Sequence, residues 1–222
     1  MGLTGATVIT GAGSGLGREL ALHFASLGHP LVLMGRRKEA LLETAAMLER
    51  DPKEYLVMPA DVRFPDEVQL AVTRTQERFG VVGILVNNAA LLARGPQSVD
   101  EWTLFECILR TNIKGPALVS ELFVPLIPPG GVIVNVSSTS ASLPTPSELA
   151  YGASKAGLEQ LTRCQSVRYG DLKIRVVGVA PGSLDRRVPG NEWNLVRAVE
   201  TIDFLTGMTT EEGNGEVLQV GG

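Results

Sequence analysis

Two residues whose side chains can exchange protons stand four positions apart, in the segment Tyr151-Gly152-Ala153-Ser154-Lys155. On a helix this spacing places both side chains on one face, about one turn apart. An ammonium group beside a phenol favours the ionised phenol and lowers its pKa from about 10. The pair is therefore predicted to act as a general acid and base.

A glycine-rich segment, Thr10 to Gly17, follows the first predicted strand and opens the first predicted helix. Its glycines let a phosphate group approach the backbone N–H groups at the start of that helix. The pattern is Thr-Gly-x-x-x-Gly-x-Gly and not Gly-x-Gly-x-x-Gly, because Leu16 occupies the sixth place. Such a turn also occurs without a ligand, but its position directly after the first strand favours a nucleotide site.

The end of the second predicted strand indicates which nucleotide is bound. An acidic residue there, about 20 residues beyond the glycines, would bind the ribose hydroxyls of NAD. This chain has Gly35 at that place, followed by Arg36 and Arg37. Two guanidinium groups predict a preference for the 2'-phosphate of NADP(H), with NAD(H) allowed as a second cofactor. The alternative is that both arginines form a solvated helix start.

Short runs rich in Val, Ile and Leu alternate with segments whose apolar residues recur every three or four positions. The runs predict strands at Ala6 to Thr10, Pro30 to Met34, Tyr55 to Met58, Ile84 to Asn87, Gly131 to Ser137 and Ile174 to Ala180. Nearly continuous apolar runs are typical of parallel strands covered on both faces. The whole chain, residues 1–222, is therefore predicted to form one α/β domain, a doubly wound Rossmann-type parallel sheet flanked by helices.

Composition narrows the class of partner. The formal net charge is -4, so no basic field attracts nucleic acid or an anionic membrane, and a small-molecule substrate is expected. Cys107 and Cys164 lie in predicted helices without metal-ligand spacing, which predicts reduced thiols in a cytoplasmic protein and no metal site. No stretch has the pattern of a secretion signal or of a membrane span.

Further motifs follow the glycine turn, and the complete set in order is Thr10 to Gly17, Asp61-Val62, Asn87-Asn88-Ala89-Ala90, Asn112, Ser137-Ser138, Tyr151-x-x-x-Lys155 and Pro181-Gly182. Together they resemble the motifs of the short-chain dehydrogenase/reductase family, over almost the entire chain. Each motif alone is common, but the full set in this order is highly specific. The resemblance implies an enzyme that transfers a hydride between a nicotinamide cofactor and a carbonyl or alcohol.

By this resemblance the catalytic residues are Asn112, Ser138, Tyr151 and Lys155. Tyr151 is implied to be the general acid in carbonyl reduction, and Lys155 to hold the nicotinamide ribose. Ser138 stands at the family's spacing for the serine that polarises the substrate oxygen, with Ser137 as its neighbour. Asn112 matches the asparagine that holds a water behind the lysine, and the alternative is a residue in a helix kink.

The resemblance also implies the cofactor-binding residues. They are Gly11, Ser14, Gly15, Leu16, Gly17, Arg36, Arg37, Asp61, Val62, Asn88, Ala89, Tyr151, Lys155, Pro181, Gly182 and Leu184. Asp61 and Val62 are expected to line the adenine, and Asn88 with Ala89 to lie beneath the ribose. Ala90 stands where the family usually has glycine, a departure that affects only the backbone fit around the cofactor.

A larger departure from the family follows Pro181-Gly182. Asp185 keeps the pattern, but Arg186 stands in place of a threonine that contacts the carboxamide. Only a short loop to Asn191 precedes the predicted last helix, Glu192 to Leu205. A shortened substrate lid and an open active-site mouth are expected. Three interpretations stay open: a reductase of bulky or carrier-bound carbonyls, a site closed by a partner subunit, and a decayed member that binds cofactor without turnover.

The sequence favours an NADP-preferring carbonyl reductase, and the alternative from another class is a cofactor-binding regulatory or scaffold protein. The intact Ser138, Tyr151 and Lys155 argue against a decayed site. Family members usually form homodimers or homotetramers through two long helices, which here are those near Asn112 and Tyr151. The same assembly is expected for this chain.

Four remaining residues that can bind ligands are predicted to be structural. His23 in the first helix and His29 before the second strand are expected to lie apart from each other and from any metal cluster. Trp102 and Trp193 fall in segments of helical period, where packing is the default. Trp193 is also a candidate to face the substrate, because it lies beside the shortened lid.

Overall fold

Seven parallel strands form one sheet in the computed structural model, which describes residues 5–92, 100–184, 191–208 and 213–221, apart from the side chains of 191 and 192. The strands are β1 (Ala6–Thr10), β2 (Leu31–Gly35), β3 (Tyr55–Pro59), β4 (Val82–Asn87), β5 (Val132–Val136), β6 (Arg175–Pro181) and β7 (Val217–Val220). Their order in the sheet is β3-β2-β1-β4-β5-β6-β7. The strand order reverses between β1 and β4, where a doubly wound sheet opens a crevice for a ligand.

Helices connect the strands. They are α1 (Gly15–Ser26), α2 (Lys38–Ala46), α3 (Pro65–Phe79), α4 (Glu101–Leu109), α5 (Gly115–Phe123), α6 (Leu149–Arg168) and α7 (Asn191–Gly207). A π-helical turn, Arg110–Lys114, joins α4 to α5, and a short 3₁₀ turn, Pro146–Glu148, leads into α6. In the described part of the chain, no helix is long and apolar enough to cross a membrane.

The side chains of the strands alternate between two apolar layers, one on each face of the sheet. One layer joins Leu33 of β2 to Phe24 of α1 and Ile202 of α7. The other joins Ile133 of β5 to Phe123 of α5. All five side chains are fully buried. Because both faces are covered, the strands are mostly apolar, and their polar side chains at the centre of the sheet, such as Asn87 and Asn135, are buried.

The predicted fold class is confirmed, and the six predicted strands lie within two residues of the observed ones. The sequence analysis missed β7, which is only four residues long. It pairs in parallel with β6, from Gly178 opposite Val217 to Pro181 opposite Val220. In the sequence, this strand shows only as two valines in a short run between Gly215 and Gly221. So short a run does not show enough periodicity to distinguish a strand from a loop.

The expected separation of the two histidines was wrong. Both rings contact the ring of Phe24, with centroid distances of 5.5 Å for His23 and 5.3 Å for His29. His23 Nε2 also lies 3.3 Å from a carboxylate oxygen of Asp203 in α7. The turn through Gly28, with a φ of 84°, returns the chain onto α1 and brings the histidines together. Burial lowers the pKa of His29, and both rings belong to the packing of α1.

The expected packing of the tryptophans was also wrong. Trp102 is 71% exposed and Trp193 is 66% exposed. The Trp102 ring contacts Phe105, one turn along α4, at a centroid distance of 5.9 Å. Helical period located both helices correctly, but it did not show which face of each helix is covered.

A buried polar network fastens the centre of the sheet to the helices. Asn87 at the end of β4 donates through Nδ2 to Asn135 Oδ1 on β5, at 2.9 Å, and to Ser120 Oγ on α5, at 3.0 Å. Asn135 donates through Nδ2 to Thr162 Oγ1 and Gln165 Oε1 of α6, each at 3.0 Å. A buried amide of this kind stabilises the fold only while all its partners are present.

Asn135→Ala is expected to lower the free energy of unfolding by about 2 to 3 kcal/mol, because buried groups on Asn87, Thr162 and Gln165 each lose a hydrogen bond. Urea denaturation measures the loss. Thr73→Ala removes an exposed hydroxyl bond to the α3 backbone and serves as the control, with a change below about 0.5 kcal/mol. Equal midpoints for both variants would contradict a stabilising role for the network.

Candidate active site

The turn between β1 and α1 is held in a close approach to the loop after β4. Gly11 has a φ of 70°, and a Cβ there would lie 2.9 Å from Asn88 Nδ2. A Cβ at Gly17 would collide with the carbonyl oxygen of Gly11. Ser14, at the N-cap of α1, makes no side-chain capping bond. The first N–H groups of α1 are therefore not capped by this side chain and can bind an anion.

Thr10 and Asn88 join the carboxyl ends of β1 and β4. The Thr10 hydroxyl accepts from the backbone N–H groups of Asn88 and Ala89, both at 3.0 Å, and donates to the carbonyl of Val86 at 3.3 Å. Asn88 Nδ2 donates back to the Thr10 carbonyl at 2.9 Å. The Asn88 side-chain amide thus hydrogen-bonds to the backbone, and it holds the loop after β1 to the loop after β4.

A cavity of about 300 Å³ opens beyond these strand ends. The predicted cofactor residues that line it are Gly11, Ser14, Arg36, Arg37, Asp61, Val62, Asn88 and Ala89. Lining residues that the sequence analysis did not assign are Gly13, Gly35, Ala40, Leu41, Ala60, Ala90 and Thr111. Most of these are sequence neighbours of the assigned motifs or lie in the first turns of α2. Their position next to those motifs could have identified them as cavity residues from the sequence.

Other predicted cofactor residues do not line this cavity. Leu16 is buried in the apolar layer around α1, and Leu184 packs against the same layer. The backbone N–H of Gly182 donates to the Val220 carbonyl at 2.8 Å, which extends the pairing of β6 and β7. Pro181 is the last residue of β6. These contacts give the residues structural roles, and their binding roles stay predictions, as does that of Gly15.

Two guanidinium groups face the cavity without a protein partner. Arg36 and Arg37 are exposed, and within the described residues neither guanidinium group makes a hydrogen bond or an ion pair. Arg37 is the N-cap of α2 and Lys38 its first residue. Cations at a helix N-terminus are unfavourable to the helix dipole, so this arrangement gains stability from a bound anion.

Asp61 is held in place by an arginine that the sequence analysis did not single out. Its carboxylate accepts from Arg63 Nε at 3.0 Å, from Arg63 Nη2 at 2.6 Å and from the Arg63 backbone N–H at 3.0 Å. Burial alone would raise the pKa of Asp61, but the hydrogen bonds from Arg63 and the charge of Arg36 lower it overall. The Asp61 carboxylate is therefore ionised and fixed in direction at the cavity wall.

Tyr151 and Lys155 lie in the first turns of α6, next to the end of β5. Lys155 is 2% exposed, and its Nζ donates to the Val136 carbonyl at 2.7 Å. The same Nζ lies 5.6 Å from the centroid of the Tyr151 ring. The spacing prediction that the two side chains share one helix face is consistent with this contact.

The protonation of the pair differs from the expectation. Burial raises the pKa of Tyr151 and the charge of Glu148 adds to the rise, while the nearby Ser138 hydroxyl opposes it. Burial also lowers the pKa of Lys155 to about 8. The net shift of the Tyr151 pKa is upward, and not the expected lowering, because burial of the phenol outweighs the hydrogen bond from Ser138. The Lys155 ammonium itself donates to the Val136 carbonyl. The protein therefore holds a neutral phenol beside a buried cation at neutral pH.

The two adjacent serines have different partners. Ser137 is buried and donates to Glu159 Oε1 at 3.0 Å. Ser138 donates to Ser140 Oγ at 3.2 Å and accepts from the Ser140 backbone N–H at the same distance. Of the two serines, Ser138 is the one whose hydroxyl lowers the pKa of Tyr151, against the larger rise caused by burial.

Asn112 lies in the π-helical turn and is fully buried. Its Oδ1 accepts from the Leu91 N–H at 2.7 Å, and its Nδ2 donates to the Leu91 carbonyl and to Ser154 Oγ, each at 3.0 Å. Ser154 Oγ donates in turn to the Tyr151 carbonyl at 2.7 Å. Asn112 thus connects the loop after β4 to the helix that carries Tyr151, and both protons of its side-chain amide are donated in these hydrogen bonds.

Asp185, which keeps the family pattern, and Arg186, which departs from it, both lie outside the described residues. The last helix begins at Asn191 and ends at Gly207, against a prediction of Glu192 to Leu205. In the described part of the chain, no group of His, Cys, Asp or Glu has the arrangement of a metal site.

The site as a whole fits a dinucleotide. The glycines keep the start of α1 free of side chains, Arg36 and Arg37 line the same cavity, and Tyr151 and Lys155 lie at the start of α6. These are the parts that a nicotinamide-dependent oxidoreductase needs.

Comparisons with known proteins agree with this geometry. The sequence profile of the short chain dehydrogenase family matches residues 6–193. The chain is 38% identical over 198 residues to sulfoacetaldehyde reductase 2 of Chromohalobacter salexigens, an overlap of 86% of this chain and 75% of that protein.

Solved structures share the fold over nearly the full length. A short-chain dehydrogenase/reductase of Brucella melitensis, described as glucose/ribitol dehydrogenase, superposes with a TM-score of 0.87 at 26% identity, covering 99% of this chain and 97% of that one. A 3-ketoacyl-(acyl-carrier-protein) reductase of the same organism, complexed with NADH, gives 0.85 at 28% identity and covers 98% and 97%. The resemblance seen in the sequence is thereby confirmed: the chain belongs to the short-chain dehydrogenase/reductase family of oxidoreductases.

Proposed function

We propose that this protein is an NADP-preferring oxidoreductase that interconverts a carbonyl and an alcohol, with Tyr151 as the general acid and base. The observation that carries the proposal is that the Tyr151 phenol interacts with the Ser138 hydroxyl and that the Tyr151 ring lies 5.6 Å from the buried Lys155 ammonium. Hydrogen bonds from Asn112 to Leu91 and Ser154, and from Ser154 to the Tyr151 carbonyl, connect the start of α6 to the loop after β4, which lines the cofactor cavity.

In carbonyl reduction, Tyr151 gives its phenolic proton to the substrate oxygen. The nicotinamide supplies the hydride when it is bound. An acid in this step must be protonated beforehand, and the raised pKa of Tyr151 satisfies that requirement at neutral pH. Ser138 holds the substrate oxygen beside the phenol. The same groups run in reverse for alcohol oxidation.

Lys155 stabilises the phenolate that remains after the proton has left. Its pKa of about 8 keeps it mostly cationic at neutral pH. The cation lies 5.6 Å from the ring centroid, and an opposite charge at such a distance favours the ionised phenol. We also assign Lys155 to the nicotinamide ribose, as in the family resemblance.

The preference for NADP rests on Arg36 and Arg37. Both line the cavity, and in the described residues neither guanidinium group forms an ion pair with an acid. The place of an acidic residue that would favour NAD is taken by Gly35. A 2'-phosphate would accept charge-assisted hydrogen bonds from these guanidinium groups.

The substrate is a small-molecule carbonyl, and carrier-bound carbonyls are included because of the short segment that follows Gly182. A test panel combines sulfoacetaldehyde, on which the Chromohalobacter relative is named to act, with ethyl acetoacetate and 4-nitrobenzaldehyde. We further propose a cytoplasmic homodimer or homotetramer. A regulatory protein that binds the cofactor would bind NADPH and reduce no member of the panel.

Tyr151→Phe is expected to bind NADPH with an unchanged Kd but to lose carbonyl reduction by about 10²- to 10⁴-fold in kcat, because the ring remains and its proton does not. NADPH fluorescence measures binding, and absorbance at 340 nm measures turnover. Tyr169→Phe is the matched control, since the Tyr169 hydroxyl donates to Glu121 on α5. Undiminished turnover in Tyr151→Phe would refute the assignment of the acid.

The double variant Arg36→Asp with Arg37→Ala is expected to lower the ratio of kcat/KM for NADPH over that for NADH at least tenfold, which corresponds to about 1.4 kcal/mol. The carboxylate repels the 2'-phosphate and accepts from the ribose of NADH. Arg74→Ala, at an exposed ion pair with Glu77 on α3, is the control. An equal loss with both cofactors would mean that the two arginines are structural.

Lys155→Met is expected to stabilise the cofactor-free protein at pH 7 by about 1 to 3 kcal/mol, although it should abolish activity. The folded pKa of about 8 lies below the value of 10.5 for a free lysine, so the unfolded state binds more protons and stability rises between pH 8 and 10.5. Denaturant melts from pH 7 to 10 should show this rise in wild type and in Lys53→Met, but not in Lys155→Met. Parallel curves would contradict a buried cation.

A further inference from the structure

Two side chains that bind each other join the glycine-rich turn after β1 to helix α2. Arg18, in the first turn of α1, donates through Nη2 to the Gly13 carbonyl at 2.7 Å and through Nε to Thr44 Oγ1 at 3.0 Å. Thr44, on α2, shares its hydroxyl proton between the Ala12 carbonyl at 3.0 Å and the Ala40 carbonyl of its own helix at 3.1 Å. We call Arg18 and Thr44 the brace.

The brace fixes the direction of two peptide groups in the turn. In a planar trans peptide the N–H points opposite to the C=O. Because the carbonyls of Ala12 and Gly13 are bound to Thr44 and Arg18, the N–H groups of Gly13 and Ser14 point away from the brace. Gly13 and Ser14 also line the cofactor cavity. The brace therefore sets the orientation of two backbone donors at the wall of a predicted phosphate site.

The brace also holds α2 close to the turn. A Cβ at Gly13 would lie 3.0 Å from Ala40 Cβ, so α2 packs closely against the turn there. A second cavity, of about 340 Å³, lies beside the cofactor cavity, and Gly13, Ser14, Arg37 and Ala40 line both. Because open space adjoins the turn in two places, its separation from Arg37 depends on the few contacts across Gly13 and Thr44.

Arg18 differs from Arg36 and Arg37, whose guanidinium groups have no partner among the described residues. Its Nη2 also pairs with Glu43 Oε2 at 3.0 Å, and its side chain is only 25% exposed. Its charge and two of its nitrogens are thus bound within the protein. Thr44 is fully buried and cannot reach a ligand. Both residues are therefore suited to position the turn and α2, and not to bind the cofactor.

Resting on the proposed function, we propose that Arg18 and Thr44 are positioning residues for the cofactor preference. They hold the glycine-rich turn and the guanidinium groups of Arg36 and Arg37 at the separation that NADPH requires, without touching it. NADPH brings a pyrophosphate to the turn and a 2'-phosphate to the guanidinium groups, whereas NADH lacks the second group. Two preorganised contacts add fully only when their spacing matches the ligand. Loss of the brace should therefore weaken NADPH binding more than NADH binding.

Binding of the two cofactors to the full-length protein tests this role without a substrate. The measured quantity is the Kd for NADH divided by the Kd for NADPH, from nicotinamide fluorescence. Thr44→Val keeps the volume and removes the hydroxyl, and Arg18→Met keeps the length and removes the donors. Each should lower the ratio by about fivefold or more, because the spacing is no longer fixed. Thr44→Ser restores the hydroxyl and should keep the ratio within about twofold.

Thr75→Val separates positioning from a loss of stability. Thr75 is also fully buried in a helix, and its hydroxyl donates to the Ala71 carbonyl at 2.7 Å, but no residue of α3 lines either cavity. This variant should unfold at a lower urea concentration and keep the wild-type ratio.

An unchanged ratio in either Thr44→Val or Arg18→Met would overturn the brace. A fall in Arg18→Met alone would point to direct contact of Arg18 with the cofactor, and a fall of the same size in Thr75→Val would point to general destabilisation. Equal affinity of the wild type for NADPH and NADH would instead overturn the proposed preference for NADP.

Discussion

The closeness of β1 and β4 at their carboxyl ends is the constraint on which the site depends. Thr10 binds the N–H groups of Asn88 and Ala89, and Asn88 binds the Thr10 carbonyl in return. Nothing larger than hydrogen fits at Gly11 or Gly17 while these loops touch. The same contact that closes the centre of the sheet thus leaves the start of α1 open to a phosphate.

The second constraint is the cost of a buried ammonium group. Lys155 has lost nearly all contact with water, and the Val136 carbonyl and the Tyr151 ring replace only part of its hydration. The two apolar layers and the buried amides of Asn87 and Asn135 hold β5 and α6 together against this cost. Functional sites are commonly less stable than the frame that supports them.

Much of the fold and of the site could be predicted from the sequence, because these features depend on residues that are close together in the chain. Continuous apolar runs identified six strands, and the spacing of Tyr151 and Lys155 identified one helix face. The failures share a cause. β7 is too short for its period to be recognised, the histidines meet only through the turn at Gly28, and the exposure of Trp102 depends on which face of α4 is covered.

The sequence by itself determined the α/β class, the glycine-rich turn and the residue types and spacing of Tyr151 and Lys155, since each follows from neighbours in the chain. Only the tertiary structure decided the directions in which the pKa values of those two residues shift and the bond of Arg63 to Asp61. Burial and side-chain direction depend on segments distant in sequence, and no local pattern encodes them.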